Sequence, residues 1–250
     1  MGYQRNTRRR PASDRADTLT TMVSESRTTT PRGRTERQRV RNRRKLVSAA
    51  AELLATVGPE GLTVTAVTAR ADLGTGTFYN YFQTREEITA AVVHDALASL
   101  GVRLDSLTDS MTDPAEICSC AMRHMVASAV SDPLWGWLLV RLGVAQQELR
   151  DTIGPLHSRD VQKGVEAGRF SIPDATVATA IYFGGLLATI QSELSGAASD
   201  DPGSAFAEYM LRAFGLPDEE AHEIASRPLP PLPELADDHG PLGPPPVRAS

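Results

Sequence analysis

Between residues 46 and 215 apolar side chains recur every three or four positions and no stretch alternates convincingly, a pattern that predicts helices and no sheet. Leu46, Ala50, Leu53, Leu54 and Val57 make the first stripe, and Gly58-Pro59 ends it. Further helical stripes run near 85–108, 115–130, 133–150, 156–167, 174–195 and 204–215. Asp113-Pro114, Asp132-Pro133 and Asp201-Pro202 each put a capping Asp before a Pro at the first helical position, which marks three helix starts independently of the apolar spacing. No repeat of 20–50 residues is visible, so a solenoid is not expected. The expected class is all-α.

The two ends read differently. Residues 1–34 are mostly Arg, Thr, Ser and Asp, with too few large apolar side chains to offset the entropy of ordering, and are expected to form a disordered basic arm. Residues 228–250 hold eight of the 17 prolines, beginning Pro-Leu-Pro-Pro-Leu-Pro, and read as an extended, disordered Pro-rich tail that serves either as a soluble end or as a polyproline ligand. The longest apolar runs fall short of the roughly 18 residues of a membrane helix, and no apolar segment follows the Arg-rich start. A cytoplasmic protein without a membrane partner is expected. Cys118 and Cys120 suit a reducing compartment, and their spacing fits neither a redox nor a zinc site.

Charge adds a direction. The net charge is -5, yet residues 1–45 alone carry +10 and the remainder -15. Such a chain places its positive end against a polyanion and keeps the rest away from it. Nucleic acid is the obvious polyanion, and a solvated arm without a partner is the alternative that charge leaves open.

Residues 61–88, GLTVTAVTARADLGTGTFYNYFQTREEI, carry the functional signal. Thr63 is placed to cap a short helix with Val64, Val67 and Ala71 facing inward. Asp72-Leu73-Gly74 makes a tight turn, and a second short helix runs from about Thr75 to Phe82. This is a helix-turn-helix, whose second helix enters the DNA major groove. Phe78 and Phe82 anchor that helix, while Thr75, Gly76, Thr77, Tyr79, Asn80 and Tyr81 are small or hydrogen-bonding. Hydroxyls suit phosphate oxygens, Asn pairs with an adenine edge, and Gly or Thr admits close approach to a base.

Residues 39–88 resemble the DNA-binding domain of the tetracycline-repressor (TetR) family of transcriptional regulators. The resemblance rests on Ala49-Ala50, Gly58 to Gly61, Thr63-Val64 and the string Gly76-Thr77-Phe78-Tyr79-Asn80-Tyr81-Phe82-Gln83-Thr84-Arg85-Glu86, about a fifth of the chain. Asp72 stands where the family often has Gly, Thr68 where it often has Ala, and Arg85 where it often has Lys. The resemblance implies phosphate contacts from Thr63, Thr77, Tyr79 and Arg85 and base contacts from Thr75, Gly76, Asn80 and Tyr81. It also implies a grip on the backbone from Arg44. The basic run from Arg32 to Lys45 either reaches across the duplex and into the minor groove or merely raises non-specific attraction.

Residues 90–216 contain no P-loop, no Gly-x-Ser-x-Gly and no His-Glu-x-x-His, so no enzyme and no cofactor are expected. The resemblance gives this body two tasks, ligand sensing and dimerisation. Met122, Met125, Trp135, Trp137, Arg141, Tyr182 and Phe183 suit a small-molecule pocket and equally suit ordinary core. The small and aliphatic residues of 174–195, with Phe206, Tyr209, Met210, Ala213 and Phe214, suit a two-fold four-helix interface and equally a monomer core. The organisation expected is therefore an arm (1–34), a three-helix helix-turn-helix domain (35–88), a helical regulatory and dimerisation domain (89–227) and a tail (228–250). The function expected is a homodimeric regulator, a repressor that leaves a palindromic double-stranded DNA operator when a small molecule binds. A ligand-independent, nucleoid-associated DNA-binding protein is the alternative.

Overall fold

Ten helices form in a computed structural model that describes residues 31–233 except Ala198, with residues 31–34 described in backbone only. The greater part of the expected arm and tail, residues 1–30 and 234–250, lies outside the described residues. No strand occurs among the described residues. The chain divides into two units, residues up to Gln38 and residues from Arg39 onward. Of the first unit, helical backbone is described from Pro31, so the expected boundary at residue 35 falls inside a helix.

Helix α1 (Pro31–Gly61) breaks at Gly58, whose φ of 73° and ψ of -177° no L side chain adopts without strain, and ends in a short turn after Pro59. In α2 (Val64–Ala71), Thr63 Oγ1 accepts the Ala66 N–H at 3.1 Å, and Val67 and Ala71 are buried. Asp72 then closes α2 in the left-handed region, with φ and ψ both 52°. Asp tolerates this conformation better than residues without a short polar side chain. Asp72→Ala is expected to lower stability by about 1 kcal/mol and Asp72→Gly to stay within about 0.5 kcal/mol of the parent, read from urea unfolding midpoints. Equal loss in both variants would show that the backbone angle is not what costs energy at this turn.

Helix α3 (Thr75–Tyr79) is shorter than the expected 75–82, because Asn80 and Tyr81 already turn back onto Thr77 and Phe78 through their backbone N–H groups. Helix α4 (Arg85–Thr108) runs unbroken across the expected domain boundary at 88, with Thr84 as its cap. The three Asp caps form as expected. Asp113 holds the Ala115 N–H at the start of α5 (Pro114–Ser131), Asp132 that of Trp135 in α6 (Pro133–Arg141), and Asp201 that of Ser204 in α9 (Pro202–Ala213).

Two expected segments, 133–150 and 156–167, are divided elsewhere. The break falls at Leu142, which is extended (φ -98°, ψ 117°), and α7 (Gly143–Glu166) continues through Pro155. A proline inside a helix costs on the order of 3 kcal/mol. Here Ala145, Leu149, Ile153, His157 and Val161 form one buried row at four-residue spacing on both sides of it, and that continuous row outweighs the local loss. Helix α8 (Ala175–Leu194) spans nearly the expected 174–195, whereas α10 (Asp218–Ser226) has no counterpart among the expected segments. Its stripe is only Ala221, Ile224 and Ala225, packed against α5 and α9. In the second unit α4 lies on α7, α5 on α9 and α7, and α8 on α6 and α9. The first residues of the tail also depart from expectation: 228–233 lie against α4 and α5, with Leu232 packed on the core.

Candidate functional site

The short helix α3 is built as a wedge with one buried side. Phe78 is fully buried and Phe82 nearly so, their rings 5.8 Å apart, and the Arg43 guanidinium of α1 lies 5.6 Å above the Phe82 ring. Burying two such rings contributes about 1.5–3 kcal/mol each, enough to hold a five-residue helix that has no stability of its own. Gln83 completes the frame, since its Nε2 donates to Tyr79 O at 3.1 Å while its backbone N–H donates to Glu87 Oε2 at 2.6 Å.

The opposite side is open. Thr63, Thr75, Gly76, Tyr79, Asn80 and Arg85 are exposed, Thr77 and Tyr81 are half-buried, and Arg44 is exposed on α1. A Cβ added at Gly76 would meet no atom within 4 Å, so nothing inside the fold asks for glycine there. What glycine leaves at that point is open space over the helix. Arg85 is paired only loosely with Glu86, at 3.8 Å. Arg43 and Gln83 support this surface from behind. The sequence reading places Arg43 only in the basic run expected to meet DNA and gives Gln83 no role of its own.

A second candidate lies in the helical body. A small cavity of about 30 Å³, partly open to solvent, lies between α4, α5, α7 and α8, and its polar members are Asp105, Thr108, Cys118, His157, Asp160 and Tyr182. Of the residues expected in a pocket, Met122, Met125 and Tyr182 line it. Trp135, Trp137, Arg141 and Phe183 do not. Trp137 and Arg141 form a cation–π pair at 3.9 Å on α6, Trp135 packs against the core from its edge, and Phe183 is buried against Tyr182 and His157. The expectation rests on apolar bulk, whereas the cavity is set by which helices converge.

The His157 and Tyr182 rings stack at 3.8 Å, 8° from parallel. Desolvation lowers the His157 pKa to about 4, against a smaller upward pull from Asp160, so the imidazole is neutral at physiological pH. Burial likewise raises the Cys118 thiol and the Tyr182 hydroxyl, which keeps both protonated. Arg159 joins the two carboxylates at the rim, with Nη2 2.7 Å from Asp105 Oδ1 and Nε 2.9 Å from Asp160 Oδ1. Lys163 Nζ lies 3.5 Å from Asp160. Sequence reasoning misses Asp105, Arg159 and Asp160, because their partnership spans more than fifty positions and has no spacing signature.

Residues 46–92 match the family described as bacterial regulatory proteins, tetR family, and residues 113–227 match the tetracyclin repressor-like C-terminal domain. The structure of RolR in complex with resorcinol is 40% identical, with a TM-score of 0.72, and the match covers 79% of this chain and 100% of that one. The chain belongs to the TetR family. RolR without ligand aligns almost as well, at 40% identity and a TM-score of 0.69 over 76% of this chain and 99% of that one. SmeT, the repressor of the Stenotrophomonas maltophilia multidrug efflux pump SmeDEF, shares the fold at 19% identity and a TM-score of 0.54, over 69% of this chain and 89% of its own. No protein of curated function matches in sequence.

This TetR-family chain is thus an all-helical, DNA-binding transcriptional regulator whose α2–turn–α3 unit is the helix-turn-helix. Regulators of this family act by binding operators and small molecules, as dimers, and are soluble cytoplasmic proteins. By length and composition alone α8 is apolar enough to cross a membrane, and 22% of its apolar window is buried within the chain. Its exposed side is a strip of Val177, Ala180, Ile181, Gly184 and Ala188, and Tyr209 is exposed on α9.

Proposed function

We propose that this TetR-family regulator is a homodimeric repressor that leaves a two-fold-symmetric operator when a small hydroxylated aromatic compound enters and widens the cavity between α4, α5, α7 and α8. The observation that carries this reading is the cavity itself: a stacked His157–Tyr182 pair beside two carboxylates, in a chain 40% identical to a regulator that was crystallised with resorcinol. Phenolic hydroxyls donate, and Asp105 and Asp160 accept. The flat rings and Met122 and Met125 supply the apolar remainder of the site, the usual composition of a small-molecule pocket.

On the DNA side, Thr63, Thr77, Tyr79, Arg85 and Arg44 are assigned to phosphates and Thr75, Gly76, Asn80 and Tyr81 to base edges. The arginines of the arm add sequence-independent, salt-sensitive attraction. The apolar strip of α8 with α9 is assigned to the dimer, which sets two recognition helices about 34–36 Å apart for successive major grooves. The protein then works on chromosomal DNA in the cytoplasm, and its chemistry is binding, with no catalytic step. The open end of the regulatory mechanism is α4, which carries Asp105 near its C-terminal end and Arg85 at its first residue, directly behind α3. A ligand that draws Asp105 to a new position favours one placement of α4 over another, and its differential affinity for the two states sets how far operator binding falls.

Operator selection from random duplexes, followed by titration with resorcinol, tests this reading. Resorcinol is expected to raise the melting temperature and release the operator over one concentration range. Asp160→Asn should shift that range upward by about 10- to 100-fold through loss of a charge-assisted hydrogen bond, leaving unliganded operator affinity within a few-fold. Operator binding that is indifferent to resorcinol and to other phenols would overturn the effector assignment. Equal binding of random and selected duplexes would overturn the repressor assignment.

A further inference from the structure

The segment that leaves α10 has a regularity of its own. Arg227 adopts φ -59° and ψ 148°, and the six residues after it, Pro228-Leu229-Pro230-Pro231-Leu232-Pro233, form neither helix nor turn. Those angles are polyproline values, and four of the six residues are prolines, whose rings keep φ near the same angle. A polyproline II helix completes a turn every three residues, so groups three apart share a face.

The three carbonyls bonded to the body are spaced in that way. Arg123 Nη1 donates to Arg227 O at 2.6 Å, His124 Nε2 donates to Pro230 O at 3.0 Å, and Arg103 Nε donates to Pro233 O at 2.9 Å. Leu229 and Leu232, also three apart, are half-buried, and Leu232 packs against the core. Proline-rich chains have few N–H groups to offer, so donors set at their period, with pockets for the intervening apolar residues, are how such ligands are recognised. Here the chain supplies both partners.

The position of this ladder matters as much as its period. Arg123 and His124 are buried on α5, between the cavity residues Met122 and Met125, and Arg103 of α4 directly precedes the cavity residues Leu104 and Asp105. Helix α4 rests mainly on α7 and touches α5 only slightly. The proline segment therefore ties together two helices that line the cavity. The Arg227 side chain fixes its root, reaching Glu116 of α5 and Glu223 of α10.

We propose that residues 227–233 are a polyproline clasp, read in cis through Arg103, Arg123 and His124, which pins the C-terminal half of α4 to α5 and holds the DNA-binding helices in their operator-competent position. The coupling to DNA rests on the repressor reading above, whereas the clasp itself does not.

Three chains test it: the full chain, one ending at Pro233 and one ending at Arg227. Amide exchange over residues 100–108 should be unchanged in the chain ending at Pro233 and at least about tenfold faster in the chain ending at Arg227, because α4 then opens locally more often. Operator affinity should fall about 3- to 10-fold in the shorter chain alone. Arg103→Ala in the full chain should reproduce much of the faster exchange and add nothing in the chain ending at Arg227, the non-additivity expected of groups acting as one unit. Should the shorter chain fail to fold, Arg103→Ala in the full chain decides. Unchanged exchange in a folded chain ending at Arg227, equal effects of both truncations, full additivity, or an inert Arg103→Ala would each overturn the clasp. Faster exchange with no operator binding by any chain would leave the clasp standing and remove the repressor reading instead.

Discussion

Replacing Tyr79 and Asn80 together with alanine is expected to weaken operator binding by at least about 100-fold while the helical spectrum and dimeric state stay as in the parent. The reason lies in the division of labour between α3 and the turn that follows it. Phe78 and Phe82 carry its attachment to the body, and both remain in the variant. Tyr79 is half exposed and Asn80 exposed, so their side chains contribute little to the core. Within the chain the variant gives up the Tyr79 ring, which stands edge-on to Phe78 at 5.5 Å, an interaction worth about 0.5–1.5 kcal/mol. Against that stand the phosphate contact proposed for Tyr79 and the adenine pairing proposed for Asn80, together worth about 3–5 kcal/mol at the interface. Fluorescence anisotropy with a labelled operator, set beside a thermal melt, checks both halves. A variant that binds as tightly as the parent would remove α3 from the recognition surface, and one that loses binding only because it melts would show the surface to be structural.

The DNA-binding unit is legible in the sequence because its signals are local. A cap at Thr63, a turn at Asp72 and two phenylalanines four apart each depend on neighbours within a few positions, and the structure keeps all of them. The cavity is not legible in the same way. Asp105, Arg159 and Asp160 look like surface charges in sequence, and only the approach of α4 to α7 brings them together. Apolar bulk singles out Met122, Met125 and Tyr182, but the same criterion brings in Trp135, Trp137 and Phe183, which pack elsewhere. Pro155 misleads for a related reason: its local cost is real, and the buried row that overrides it belongs to tertiary packing. By composition the proline segment reads as a loose end, because the donors that seat it lie more than a hundred positions upstream.

Ile181→Arg is expected to convert the dimer to a folded monomer at micromolar concentration and, with it, to reduce operator affinity by about two orders of magnitude or more. Ile181 is 53% exposed in the single chain, Val177 equally so and Tyr209 72%, with Ala180, Gly184 and Ala188 completing a smooth apolar strip on α8. A lone soluble chain gains nothing by presenting such a strip to water, and small residues there let a second α8 approach closely. Under two-fold symmetry one substitution enters the interface twice. Each arginine must shed water inside an apolar strip, at a cost of several kcal/mol per ion. Folding of the single chain is spared, because the same side chain in a monomer extends into solvent. Sedimentation velocity reports the association state, and circular dichroism the fold. The link to DNA is geometric: with one recognition helix per particle, only one half-site is held, and the second must be found by an independent collision. The heads of Ile181→Arg are unaltered while those of the Tyr79 and Asn80 variant remain paired, so the two proteins fail for separate reasons, and a covalent dimer of the Ile181→Arg chain should regain the operator while a covalent dimer of the other should not. A chain carrying Ile181→Arg that still sediments as a dimer would move the interface to another face.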